Sequence, residues 1–394
     1  MCDQLMKTCL VSALPPLHSG VALYTLGLLL GFGKIKPSFP FVIIVNDSAN
    51  SEINIRGLKI LRNWTRGPKY FFQVLSAIIR EKPSVVHFQH EFFLYGGLFS
   101  ALLFPLLLLL TRILGKKVIV TVHGVVPSAC TTTNFAKSFF VTTNFLILKL
   151  GLSALTIIIG KFVNMIIVHN NFAKKTLFQD YAIPLKKIQV IPHGVGTNNL
   201  EVKHKSYKKI VLFFGNITPS KGIETLISAF EMIKVPNVNL IIAGGAHPRG
   251  KKYFSKIKQR IQSSSSSENI ILLGYVPDDK IHSLFEQSTI TVFPYTYSVS
   301  SSGGLAFAIQ HKKPIIVTDL PAFTEIIKDN WNGLVIPPKN PEALTKAIEK
   351  IITNEELYQK ITKGILTSYS NLLWSKIAAK TLECYQTCHS PLKE

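Results

Sequence analysis

Short apolar runs rich in valine, isoleucine and phenylalanine alternate with stretches of helical periodicity along most of the chain. That alternation restricts the fold more than any other feature. Runs of this kind read as strands buried on both faces, and strands separated by helices belong in parallel sheets with helices on both sides. In the first half, strands are expected at 8–12, 41–46, 84–89, 117–122, 164–168 and 187–191, with helices including 21–30, 70–79 and 172–178; the stretch after 46 reads as basic and turn-rich. In the second half, strands are expected at 210–214, 238–243, 270–273, 289–293 and 314–318. Helices there are expected at 221–233, 251–262, 278–286, 302–311 and 341–352. Residues 197–207 are rich in Gly, Asn and Lys, lack an apolar period and read as a linker. The expectation is therefore an α/β chain with two doubly wound, Rossmann-like domains facing a central cleft. Their bounds are 1–196 and 208–370, with a last helix in 371–394 returning to the first domain.

The stretch 210–230, IVLFFGNITPSKGIETLISAF, shows the unit most clearly. Gly215 breaks the strand, Pro219, Ser220 and Gly222 punctuate a loop, and Ile223, Leu226, Ile227 and Phe230 recur at helical spacing. Lys221 stands where that helix begins. Free N–H groups and a partial positive charge at a helix start, with a lysine beside them, suit a phosphate. An ordinary strand–loop–helix unit with a surface lysine has the same pattern.

Net charge sharpens the choice of partner. The chain carries +22, and residues 1–196 hold 20 Lys and Arg against 6 Asp and Glu. An anionic partner follows: a phosphorylated substrate, nucleic acid or an anionic membrane surface. Nucleic acid has only charge in its favour, since no binding motif accompanies it. Five cysteines, Cys2, Cys9, Cys130, Cys384 and Cys388, are too few and too scattered for a disulfide framework and read as reduced cytosolic thiols. The N-terminal apolar run is too short for a secretory signal. Segment 92–111 has no charged residue, and 139–159 is interrupted only by Lys149. Each lies between expected strands, so a spanning helix would divide the sheet across a bilayer. A helix in the membrane interface, or a deeply buried one, keeps the sheet whole. Lys116, Lys117, Lys137, Lys149 and Lys161 around these segments suit anionic lipid.

Ligands of doubly wound sheets bind beyond the carboxyl ends of strands. At those ends stand His18-Ser19-Gly20, His90-Glu91, His123-Gly124 and His169, none spaced as a metal motif. In the second half they are Gly215-Asn216, Gly244-Gly245, Gly274-Tyr275-Val276 and Tyr295-Thr296-Tyr297. Then SVSSSGGLAFAIQ opens a helix with Ser300, Ser301, Ser302, Gly303 and Gly304, a second place for an anion. No Walker pattern, Ser-His-Asp order or CxxC is present.

VVHFQHE, VIVTVHG, VIPHGV, LFFGNITPSKGIETLISAF, LIIAGG, GYVPDDKI, SSSGGLA and PIIVTDLPAFTEIIKDNWNGLVIPP follow one another along the chain. Their order resembles the retaining, GT-B-fold "group 1" glycosyltransferases over nearly the whole length. The resemblance implies a sugar nucleotide on the second domain and an acceptor on the first. It implies that Lys221 binds and stabilises the leaving diphosphate, that Gly20 contacts phosphate and that His123 lies near the transferred sugar. Tyr275 and Val276 are similar to the segment that meets the base, and Glu325 to a glutamate after the anion loop; a helix-start role would serve Glu325 equally. Gly215, Asn216, Gly244 and the serines and glycines of 300–304 complete the donor side, with His90, Glu91 and Gly124 on the acceptor side.

This chain departs from the family at three positions. Asn216 stands where a basic residue is usual, and Val299 and Phe307 stand where two glutamates are common. The resemblance thus implies a retaining transferase using a nucleotide sugar, without a metal cofactor. The apolar, basic first half adds a lipid-linked or other membrane-associated acceptor, and a place on the cytoplasmic side, peripheral at the inner face of the membrane. The missing glutamates leave a rival: an inactive glycosyltransferase-like protein that binds sugar nucleotide or a partner.

Overall fold

The computed structural model describes residues 7–17, 19–36, 41–49, 53, 55–138, 144–197, 209–298 and 302–389. His18, Ser300, Ser301, Val299 and nearly all of the expected linker lie outside the described residues. The chain forms two compact units. One takes in Met1–Thr131, Leu146–Gly194 and Leu372–Glu394, the other Thr132–Phe145 and Val195–Asn371.

In the first unit the strands are β1 (Thr8–Val11), β2 (Phe41–Asn46), β3 (Leu58–Trp64), β4 (Val85–His90), β5 (Lys117–Val122), β6 (Met165–Val168) and β7 (Ile188–Val190). They lie in the order β3-β2-β1-β4-β5-β6-β7, every neighbouring pair parallel. The order reverses between β1 and β4, which makes the sheet doubly wound. β1, β2 and β4 are buried at every position because helices cover both faces. One apolar layer joins Val74 and Ile78 of helix Tyr70–Glu81 to Phe104 and Leu107 of Leu98–Ile113 and Ile159 of Phe145–Phe162. The opposite layer joins Tyr24 and Leu28 of helix Gly20–Ile35 to Ile377 and Tyr385 of Trp374–His389. Gly27 and Gly31 let these two helices meet: a Cβ at either would fall 2.1 Å from the Trp374 ring or 2.3 Å from its carbonyl oxygen.

The second unit carries β8 (Lys209–Phe214), β9 (Val238–Ala243), β10 (Ile270–Gly274), β11 (Ile290–Phe293), β12 (Ile315–Thr318) and β13 (Leu334–Ile336). Their order is β10-β9-β8-β11-β12-β13, again parallel throughout and reversing between β8 and β11.

Several expectations need correction. The stretch read as basic and turn-rich contains β3, LKILRNW, at the edge of its sheet. An edge strand needs only one strand neighbour and tolerates charge, so Lys59 and Arg62 hide the usual pattern. β13 is also an edge, and three residues are too few to show a period. Helix 221–233 is shorter: Pro219–Lys221 form a 3-10 turn, Gly222 turns left-handed at φ 68°, and the α-helix runs Ile223–Glu231. Residues 132–145, expected in the first domain, group with the second unit, where the Phe135 ring meets Tyr297 edge-on at 5.3 Å. Helix Phe145–Phe162 is not deeply buried. Of its side chains only those around Ile159 are enclosed, while Leu146, Ile147 and Leu150 are more than half exposed.

Candidate active site

In the second unit, the loops leaving β8 and β11 meet at the point where strand order reverses. After β8, Gly215 donates to the Ala243 carbonyl (2.9 Å), leaving Asn216 exposed, and Ile217 donates to Gly245 (3.0 Å). Thr218 and Ser220 share a hydroxyl hydrogen bond of 3.0 Å, and the Ser220 carbonyl accepts from the Thr296 amide at 2.9 Å. The β8 loop is thereby tied to the β11 loop. At Gly222 a Cβ would lie 1.9 Å from the Pro294 carbonyl oxygen, and at Gly244 1.8 Å from that of Gly215, so neither position admits a side chain.

Lys221 does not extend into open solvent. Its ammonium lies 3.7 Å from the centroid of the Tyr295 ring, a cation–π contact. Tyr295 is 2% exposed, and its hydroxyl shares a 3.0 Å hydrogen bond with Ser302 Oγ. Ser302 Oγ in turn accepts from the Leu305 amide, capping helix Gly303–Gln310. That helix begins hard against β8, since a Cβ at Gly304 would fall 2.5 Å from the Phe214 carbonyl oxygen. Gly303 faces open space. One fixed ammonium and the free amides of a helix start are thus joined through a single tyrosine, an arrangement able to neutralise a diphosphate.

The remaining donor-side residues of this unit follow neighbouring strands. Tyr275 is exposed and Val276 half-buried after β10, with Gly245 beside Tyr275. Glu325 is half-buried and ends, rather than starts, the short helix Pro321–Thr324, so the helix-start alternative falls away. Phe307 belongs to an aromatic layer with Phe214 and Phe285, at 5.8 Å from each ring, and offers nothing to a ribose hydroxyl.

The first unit carries the other candidates. Ser19 caps helix Gly20–Ile35 by accepting from Val21, and Gly20 is exposed with open space around its Cα. His90 ends β4 with its ring 4.6 Å from Phe104, and burial lowers its pKa to about 4. Glu91 is exposed and Gly124 half-buried. His123 is bound at both ring nitrogens: Nε2 lies 2.7 Å from Gln89 Oε1 and Nδ1 lies 3.1 Å from His169 Nε2. His169 Nδ1 lies 3.0 Å from the Ile191 carbonyl. The rings of His123, His169 and His193 surround Tyr24 at 4.8, 5.1 and 5.3 Å between centroids.

Proton counting assigns this chain. Burial, with neighbouring histidines adding to it, holds His123 well below the usual imidazole range, and burial lowers His169 to about 4. Both rings are therefore neutral near pH 7, with one N–H each. The Ile191 carbonyl can only accept, so His169 keeps its proton on Nδ1 and His123 donates from Nδ1 to His169 Nε2. His123 Nε2 is then bare and must accept, which turns the Gln89 amide so that its NH2 faces His123. His87, beyond Gln89, is held by the Tyr385 hydroxyl and Thr121, each at 2.7 Å. A ring-nitrogen NMR spectrum near neutral pH is expected to show His123 protonated on Nδ1. Protonation on Nε2 would contradict the assignment. His169→Phe should free Nδ1 and shift that tautomer.

Among the described residues, no cluster of three or more His, Cys, Asp or Glu is placed to hold a metal ion. Residues 197–365 match the model of the group 1 glycosyl transferases, and 42–199 that of glycosyltransferase family 4. Residues 197–365 belong to the group 1 glycosyl transferases. Among the relatives of this chain is the uncharacterized glycosyltransferase MJ1607 of Methanocaldococcus jannaschii, 27% identical over 184 residues, 45% of each chain. Another is the phosphatidyl-myo-inositol mannosyltransferase of Mycobacterium leprae, 25% identical over 205 residues, 50% of this chain and 53% of the relative. The chain spans about half the length of the curated relatives it matches. Anabaena HepE, solved with UDP-glucose, superposes with a TM-score of 0.73 at 14% identity, covering 97% of this chain and 100% of HepE. That likeness establishes the GT-B type of two-unit α/β fold.

Proposed function

We propose that this protein is a retaining glycosyltransferase moving a sugar from a nucleotide-sugar donor to a lipid-linked acceptor at the cytoplasmic face of a membrane. The observation that carries the reading is the Lys221 ammonium held on the Tyr295 ring, whose hydroxyl bonds the serine capping helix Gly303–Gln310. Charge that develops on a departing nucleoside diphosphate is met there by fixed donors, so no metal is needed. In the proposed reaction, the glycosidic C–O bond to the diphosphate breaks and the acceptor oxygen attacks the same face. The diphosphate oxygen, held by Lys221 and the amides of 302–304, takes the acceptor's proton. Gly20 would let backbone approach the phosphates, and Tyr275 and Val276 would meet the base. His123, engaged at both nitrogens, is assigned a shaping role beside the sugar and no proton transfer. His90, Glu91 and Gly124 are assigned to the acceptor.

Two further observations support the substrate classes. HepE is a structural neighbour solved with UDP-glucose, and the Mycobacterium leprae relative is named for mannosyl transfer to phosphatidyl-myo-inositol. In the first unit, Leu146, Ile147, Leu150, Leu98, Phe99 and Leu102 are exposed on the two apolar helices. With Lys116, Lys117, Lys149 and Lys161 nearby in sequence, they suit an anionic bilayer surface. Phe307, lacking a carboxylate for ribose, favours a second reading in which sugar nucleotide is bound but not turned over.

Incubating the full chain with labelled nucleotide sugars and membrane lipid extract tests both. The proposal expects label in the organic phase, carrying the donor's anomeric configuration. An inverted product would contradict retention, and label confined to water-soluble glycan would contradict the lipid acceptor. Binding with no transfer from any donor would leave the second reading.

A further inference from the structure

We infer that Tyr295 is a positioning residue that presets both halves of the diphosphate cradle. This inference rests on the diphosphate reading of the site given above. Tyr295 follows β11, and a residue there need not be aromatic to end a strand. Its ring face takes the Lys221 ammonium at 3.7 Å, and its hydroxyl reaches Ser302 Oγ at 3.0 Å. The residue itself cannot swing. It is 2% exposed, its carbonyl accepts from Thr318 Oγ1 at 2.7 Å, and Phe323 packs edge-on at 5.0 Å.

Lysine is a flexible cation that loses rotamer freedom whenever it is ordered on a ligand. An aromatic face beneath the ammonium restricts the chain before the ligand arrives, so less is lost on binding. At the other end, the tyrosine hydroxyl fixes the Ser302 rotamer that caps Gly303–Gln310 and so aims the free amides. The two donors come from different loops, and the Tyr295 side chain touches both. Asn216, at the β8 end, adds no charge, so the placement of Lys221 matters more.

The ring and the hydroxyl can be separated. Y295F keeps the ring and loses the Ser302 bond; Y295L loses both. Calorimetric titration of the full chain with UDP, GDP and ADP, and with the matching monophosphates, reads the effect. A thermal midpoint for each variant shows that it is folded. For whichever diphosphate binds, Y295L is expected to weaken affinity about tenfold and Y295F about threefold. The monophosphate should change less, so that the preference for diphosphate shrinks. A variant that weakens both ligands equally, or neither, overturns the positioning role while leaving the diphosphate site standing. If the unaltered chain binds none of the three diphosphates, the diphosphate reading and this inference fail together.

Discussion

Lys221→Ala is expected to lower the rate of the proposed sugar transfer by about two to three orders of magnitude, with the loss mainly in kcat. The expectation follows from where charge appears. A nucleotide sugar already carries negative charge on its diphosphate, and more gathers on the bridging oxygen as the glycosidic bond breaks. An ammonium fixed beside that oxygen is therefore worth more in the transition state than in the ground state. Neighbouring groups offer little compensation, because Asn216 is neutral. Folding should survive, since Lys221 is half-buried at a loop and its loss removes only one cation–π contact. Initial rates over a range of donor concentrations, with the thermal midpoint measured beside them, separate these effects. An unchanged kcat with a raised KM would mean that Lys221 serves binding alone.

Gly222→Ala is expected to be among the most damaging single methyls in the second unit. Gly222 combines φ 68° with a hypothetical Cβ 1.9 Å from the Pro294 carbonyl oxygen. A left-handed alanine alone costs about 1 kcal/mol. Relief of the clash requires the β8 and β11 loops to part, breaking the Ser220–Thr296 hydrogen bond and moving Lys221 off its ring. Together these effects should cost on the order of 3 kcal/mol and lower the midpoint by roughly 6–12 °C. Gly303→Ala is the comparison, because its Cβ would meet nothing within 4 Å. Its midpoint should stay close to that of the unaltered chain. Equal midpoints for both variants would show that the loops are not locked as described.

Much of this architecture was legible before any coordinates because burial on both faces leaves an unmistakable run of apolar residues. β2, β5 and β9 match their expected limits end to end for that reason. β3 and β13 escaped because an edge strand is covered by one neighbour and shows charge or brevity instead. At the site, the glycines and serines marked the loops, and Lys221 stood out at a helix start. Tyr295 did not. As one of several tyrosines after a strand, it carries no pattern that announces a ring beneath a lysine from another loop. Likewise, repeated histidines at strand ends were visible in the sequence. That Gln89 and His169 take up both nitrogens of His123 depends on the register of β4, β5 and β6, which no local motif encodes.

The account turns on whether a nucleoside diphosphate sits at Lys221, and a crystal structure of the full chain grown with UDP, GDP or ADP tests that most directly. The prediction is density for the two phosphates beyond the ends of β8 and β11, within hydrogen-bonding distance of Lys221 Nζ and of the amides at the start of helix Gly303–Gln310. A diphosphate bound elsewhere, with Lys221 still resting on Tyr295 and its helix amides unoccupied, would contradict it.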